Sequence, residues 1–190
     1  MHRDMRDNRN DQPLFGLNWL GALLMSREKY DAQPEKPPVI LVVDDNVPNL
    51  ELIQAYLEDI ECQIVSAHDG VEALNLVARK KPDLILLDVM MPKMSGFEVC
   101  RRLKSNPQTT DIPIIMVTAL NEFGDIERGI DSGTDDFVSK PVNRLELLTR
   151  VRTMLKLKHL TDKLQRTIAY LSEVEKSAQS AISSPPAESE

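Results

Sequence analysis

No apolar run in this chain reaches the ~20 residues that a helix needs to cross a bilayer. The longest, Leu14 to Met25, is too short, contains Asn18 and is interrupted by Gly16 and Gly21. A purely basic start is missing as well. Arg3, Arg6 and Arg9 alternate with Asp4, Asp7 and Asp11, unlike the leader of a secreted protein. An excess of basic residues is also absent: the formal net charge is -7, which argues against a general nucleic-acid binder. The two cysteines, Cys62 and Cys100, have neither disulfide nor metal-ligand spacing. They read as buried or half-buried thiols in a reducing compartment. Together these absences point to a cytoplasmic protein with no membrane span and no direct nucleic-acid contact.

What the chain does have is a globular balance, 42% hydrophobic and 28% charged. Its 190 residues allow one domain of ordinary size plus extra segments. Residues 1–38 read as an N-terminal extension and linker, polar at first, with Pro34, Pro37 and Pro38 before the first strand. Within it, 14–25 forms either a short amphipathic helix or a floppy extension, and Met25 is an alternative start.

From Val39 a strand–helix rhythm sets in. Val39–Val43 is a continuous β-branched and aliphatic run, as in a strand buried on both faces. Pro48 opens a helix to about Asp59 with Leu50, Ile53, Tyr56 and Leu57 on one face. Gln63–Ala67 is a second strand, and Asp69-Gly70 leads into a helix bearing Val71, Leu74 and Val77. Leu84–Leu87 is the third strand, followed by a helix over 96–104 with Phe97, Cys100 and Leu103 inward. Pro113–Val117 is the fourth, followed by a helix over 124–131 that ends at Gly133. Phe137-Val138 lies in the fifth. Five βα units predict an α/β fold, a parallel sheet wound on both faces. Ligand sites in such sheets lie outside the carboxyl ends of the strands.

The last helix starts after Asn143, with Leu145, Leu148, Val151 and Leu155 able to pack on the sheet. It does not stop where a compact domain would, and no Pro or Gly interrupts 142–182. Leu157, Leu164, Leu171 and Ala178 recur every seven residues, interleaved with Leu160, Thr167, Val174 and Ala181. That heptad pattern reads as a coiled coil, and hence a homodimer through 157–181. An amphipathic helix folding back on its own domain would show a similar pattern. The domain itself is expected over 39–155, the helical extension over 156–182, and a disordered tail over 183–190.

The strand ends carry the chemistry: Asp44 and Asp45 after the first, Asp88 after the third, Thr118 after the fourth, Lys140-Pro141 after the fifth. Three carboxylates in one place suit a hard divalent cation such as Mg²⁺; without a cation they repel and one has its pKa raised. Capping of the next helix explains one of Asp44 and Asp45, but hardly both and Asp88. Phosphoryl transfer needs positioning and charge neutralisation at peripheral oxygens. Lys140 supplies a compact cation for one oxygen, and the Thr118 hydroxyl with the Ala119 backbone N–H can bind another. The Lys140–Pro141 bond is a candidate cis peptide.

The stretches Val42-Val43-Asp44-Asp45-Asn46, Leu87-Asp88-Val89-Met90-Met91-Pro92-Lys93-Met94-Ser95-Gly96, Val117-Thr118-Ala119 and Phe137-Val138-Ser139-Lys140-Pro141 together resemble the response-regulator receiver domain of two-component signalling, like that of the chemotaxis regulators. The resemblance covers Val39 to about Leu155, three fifths of the chain. It implies a flavodoxin-like strand order, 2-1-3-4-5. It also implies that Asp88 takes a phosphoryl group from the phosphohistidine of a sensor histidine kinase or phosphotransfer protein. Asp45, Asp88 and the Met90 backbone carbonyl would then bind Mg²⁺ directly, and Asp44 through water. Thr118, Ala119 and Lys140 would contact the phosphoryl group, and Phe137 would be the switch aromatic, read by packing alone because it has no hydroxyl. The apolar Met90 and Leu120, each two residues past a site residue, predict a slowly hydrolysing acyl phosphate.

Two rival classes remain. A haloacid-dehalogenase-like phosphatase also uses an Asp after a buried strand, but has a second Asp two residues on, where this chain has Met90. A phosphorylation-independent interaction module would leave Asp88 unmodified. The expectation is therefore a signalling receiver rather than an enzyme. The run from Leu147 resembles the linker of cyclic-di-GMP signalling regulators. No helix-turn-helix, cyclase or phosphodiesterase motif follows residue 160, so the downstream effector is unnamed.

Overall fold

The five parallel strands form one sheet in the order β2-β1-β3-β4-β5. They are β1 (Val39–Val43), β2 (Gln63–Ala67), β3 (Leu84–Asp88), β4 (Ile114–Thr118) and β5 (Asp136–Ser139). The computed structural model describes residues 36–119 and 123–183. The Leu14–Met25 segment, Leu120 and the tail from 184 lie outside the described residues. The helices are α1 (Val47–Leu57), α2 (Gly70–Lys80), α3 (Gly96–Lys104), α4 (Phe123–Ser132) and α5 (Arg144–Ser183).

Alternation along the strands divides the core in two. Leu41, Val43, Ile85, Leu87, Ile114 and Met116 face α2 and α3, where Ala73, Val77, Val99, Cys100 and Leu103 meet them. Ile40, Val42, Leu84, Leu86, Ile115 and Val117 face α1 and α5, against Leu50, Ile53, Leu57, Leu147, Leu148 and Val151. Burial on both faces is why these strands read as unbroken apolar runs. Helix starts are capped where side-chain chemistry allows. Asn46, Asp69 and Ser95 each accept the N–H three residues on, and Asn143 accepts from Glu146 N at 3.1 Å.

Three expectations need correction. β4 runs over Ile114–Thr118, one residue later than 113–117, because Pro113 has no N–H to give the ladder. Val71 is 48% exposed, since Gly70, Ala73 and Val77 form the inward face of α2. Leu145 is 73% exposed, while Leu147 is fully buried in its stead. With the cap at Asn143, Leu147, Leu148 and Val151 make the sheet-facing stripe, and Leu145 stands roughly 200° from Leu147 around the helix.

Candidate functional site

The carboxyl ends of β1, β3, β4 and β5 converge, and oxygens of Asp44, Asp45 and Asp88 all lie within 4.8 Å of one another. Asp44 and Asp88 are buried and Asp45 is exposed. Asp44 is held tightly: Oδ1 accepts from Asn46 N at 2.9 Å, and Asn49 Nδ2 donates to both oxygens at 3.1 and 3.0 Å. Lys140 crosses from the end of β5, with Nζ 2.9 Å from Asp44 Oδ2 and 3.0 Å from Asp88 Oδ2. Met90 N–H donates to Asp88 Oδ1 at 3.4 Å, and the Met90 side chain is 74% exposed.

The electrostatics follow from crowding. Burial pushes the Asp88 carboxyl above its ordinary pKa and the Asp44 charge adds to that, while Lys140 pulls it down. For Lys140, burial works against the charged form. The two carboxylates together outweigh it and hold the ammonium above its ordinary value. One lysine thus balances two of three carboxylates. The donor set is all oxygen, with one of its three carboxylates open to solvent, which fits a hard divalent cation.

Thr118 Oγ1 is buried with no hydrogen-bond partner. A buried hydroxyl left so is costly, and such groups mark functional places. The Thr118 carbonyl accepts from Lys140 N at 2.8 Å, which ties the ends of β4 and β5 together. The Lys140–Pro141 peptide is cis. Ala119 follows Thr118 directly and is exposed. Phe137 is half-buried against the α2–α3 side of the core. Its ring lies over Gly129 of α4 so closely that a Cβ there would meet Cζ at 2.4 Å. The neighbouring Asp136 is gripped by Arg150 of α5, Nη1 lying 2.7 and 2.8 Å from its two oxygens.

Sequence reasoning missed Asn49, Gly96 and Gly129. Asn49 sits three residues after the cap Asn46, a spacing that turns its side chain back toward the strand end. Gly96 lets the β3–α3 loop fold against its own strand: a Cβ there would lie 2.2 Å from the Asp88 carbonyl oxygen. No local signal marks Gly129, because its role depends on a ring from a distant strand.

A five-stranded 2-1-3-4-5 sheet with an aspartate trio and a lysine at its carboxyl edge defines the receiver class. The response regulator receiver domain model matches residues 40–152, and the chain belongs to that family. It is 46% identical over 127 residues to the response regulator PleD of Caulobacter vibrioides, which covers 67% of this chain and 28% of that protein. It is 42% identical to the DNA-binding dual master transcriptional regulator RpaA of Synechocystis, over 63% of this chain and 49% of that protein. The chain therefore spans about a quarter to a half of these curated relatives. Among solved structures, a putative response regulator from Chloroflexus aurantiacus aligns with a TM-score of 0.61 at 31% identity, over 64% of this chain and 99% of that one. The receiver domain of the sensor histidine kinase PA1611 from Pseudomonas aeruginosa, solved with magnesium in its active-site cleft, aligns at 0.59 and 29% identity, over 64% and 99%. Among the described residues, no helix is long and apolar enough to cross a membrane.

Proposed function

We propose that this chain is a phosphorylation-dependent response regulator whose phosphoacceptor is Asp88. The observation that carries the reading is Asp88 itself: a buried carboxylate beside two others, bridged to one of them by a single lysine. In the reaction an Asp88 oxygen attacks the phosphorus of a kinase or phosphotransfer-protein phosphohistidine. The new P–O bond forms as the P–N bond breaks, and the electron pair leaves with the imidazole. Mg²⁺, held by Asp45, Asp88 and the Met90 carbonyl and through water by Asp44, would supply charge neutralisation at the transferring oxygens. Lys140 leaves its carboxylates to pair with a phosphoryl oxygen. Thr118 Oγ1 and the Ala119 N–H take another.

The same hydroxyl is the start of the output. Drawing Thr118 toward the phosphoryl group lets Phe137 turn inward, a change read by packing because the ring has no hydroxyl. Phe137 adjoins Asp136, and the Arg150 grip on Asp136 couples β5 to α5. The signal therefore leaves through the receiver surface and α5, and the protein works in the cytoplasm as a signalling element. Incubation with acetyl phosphate and Mg²⁺ should add one phosphate to the intact mass, lost in Asp88→Ala. An unchanged wild-type mass would leave a phosphorylation-independent module as the better reading. The apolar Met90 predicts an acyl phosphate that outlasts seconds.

A further inference from the structure

α5 changes its apolar face where it leaves the sheet. At 100° per residue, Leu147, Leu148 and Val151 point together toward the body. Carried past residue 156, that same face holds Lys158, Asp162 and Gln165. Lys158 and Asp162 pair with one another, and Gln165 Nε2 reaches Asp111 Oδ2 at 3.3 Å, in the turn that precedes β4. The apolar residues of this half, Leu157, Leu160, Leu164, Ile168 and Leu171, point about 140° away from the body-facing side. Each is between 51% and 60% exposed. A helix folding back on its own domain would carry these leucines on the other face.

We propose that a second copy of this chain covers this face, pairing α5 with α5. Three features favour a like helix over another occupant. Leu157, Leu164 and Leu171 keep a strict seven-residue repeat with Leu160, Thr167 and Val174 at the interleaved positions, the period that two helices must share to stay in contact. In that frame Lys158, His159, Asp162, Arg166, Glu173 and Lys176 occupy the outer positions, and only Lys156, Lys163 and Glu175, of both signs, flank the seam. Five half-exposed Leu and Ile side chains from each of two copies offer about 1,000 Å² of surface, the threshold for a specific pair. The pairing does not depend on Asp88 chemistry.

Light scattering on the full chain decides the matter. The wild type should weigh twice the chain mass. Leu164→Asp should halve that mass with the receiver's thermal melt unchanged, and Ser172→Asp, on the body-facing side of the same helix, should leave it doubled. A wild-type monomer overturns the proposal. A doubled mass that survives Leu164→Asp overturns it too, by moving the contact elsewhere.

Discussion

The carboxyl edge of the sheet and the distal half of α5 both invert the usual distribution of side chains, in opposite senses. At the edge, Asp44, Asp88 and Lys140 sit wholly or largely buried where apolar groups would be cheaper. Along α5, leucines stand half-exposed where polar groups would be cheaper. The first is organised by directional contacts at fixed distances, so it can bind only small charged groups in one geometry. The second is organised by spacing alone, so it suits a long partner with a matching period. One region is built for chemistry and the other for assembly, and β5 with Arg150 lies between them.

The largest expected effect separates the two regions outright. Asp88→Asn should abolish phosphate uptake by intact mass while leaving the oligomeric mass of the unphosphorylated protein unchanged, and Leu164→Asp should do the reverse. A variant that lost both properties would break the separation. Next in size is the contrast inside α5. Val151→Asp buries an unpaired charge and should cost about 4 kcal/mol in urea denaturation, whereas Leu164→Asp should cost the receiver almost nothing.

The link between the regions is tested by Gly129→Ala. The new methyl group meets the Phe137 ring, so a loss of about 1–3 kcal/mol is expected. Combining it with Phe137→Ala should recover part of that loss, a non-additivity readable in a double-mutant cycle.

The smallest effect is in pH. Asp88 has its folded pKa raised, so its favourable contribution is complete below the unfolded value and is lost as pH rises through the folded one. In metal-free buffer Asp88→Asn should therefore be more stable than wild type at neutral pH, and the gap should close as pH falls below about 4. Equal stability at neutral pH would deny that the carboxylate is strained.

The sheet and its edge were legible because strands buried on both faces leave unbroken apolar runs, and because each run ends in a group with recognisable chemistry. What stayed hidden depended on phase or on distance. Leu145 and Leu147 are equally apolar, and only the cap at Asn143 decides which one meets the sheet. Val71 lost its inward place because the smaller Gly70 and Ala73 approach the body instead. The partnerless Thr118 hydroxyl and the Gly129 platform are relations between remote segments that no local pattern records. The heptad was visible in the sequence, but not that it faces away from its own domain.

Because α5 runs from the sheet into its exposed half without a Pro or Gly, its length also sets a direction. One residue inserted between Leu155 and Lys156 would turn the leucine stripe by about 100° and bring it to about 40° from the side that meets its own body. Seven inserted residues would return it to within about 20° of where it began. The helix thus works as an indexed shaft, in which the number of residues, more than their identity, decides whether the leucines look outward to a neighbour or inward to home.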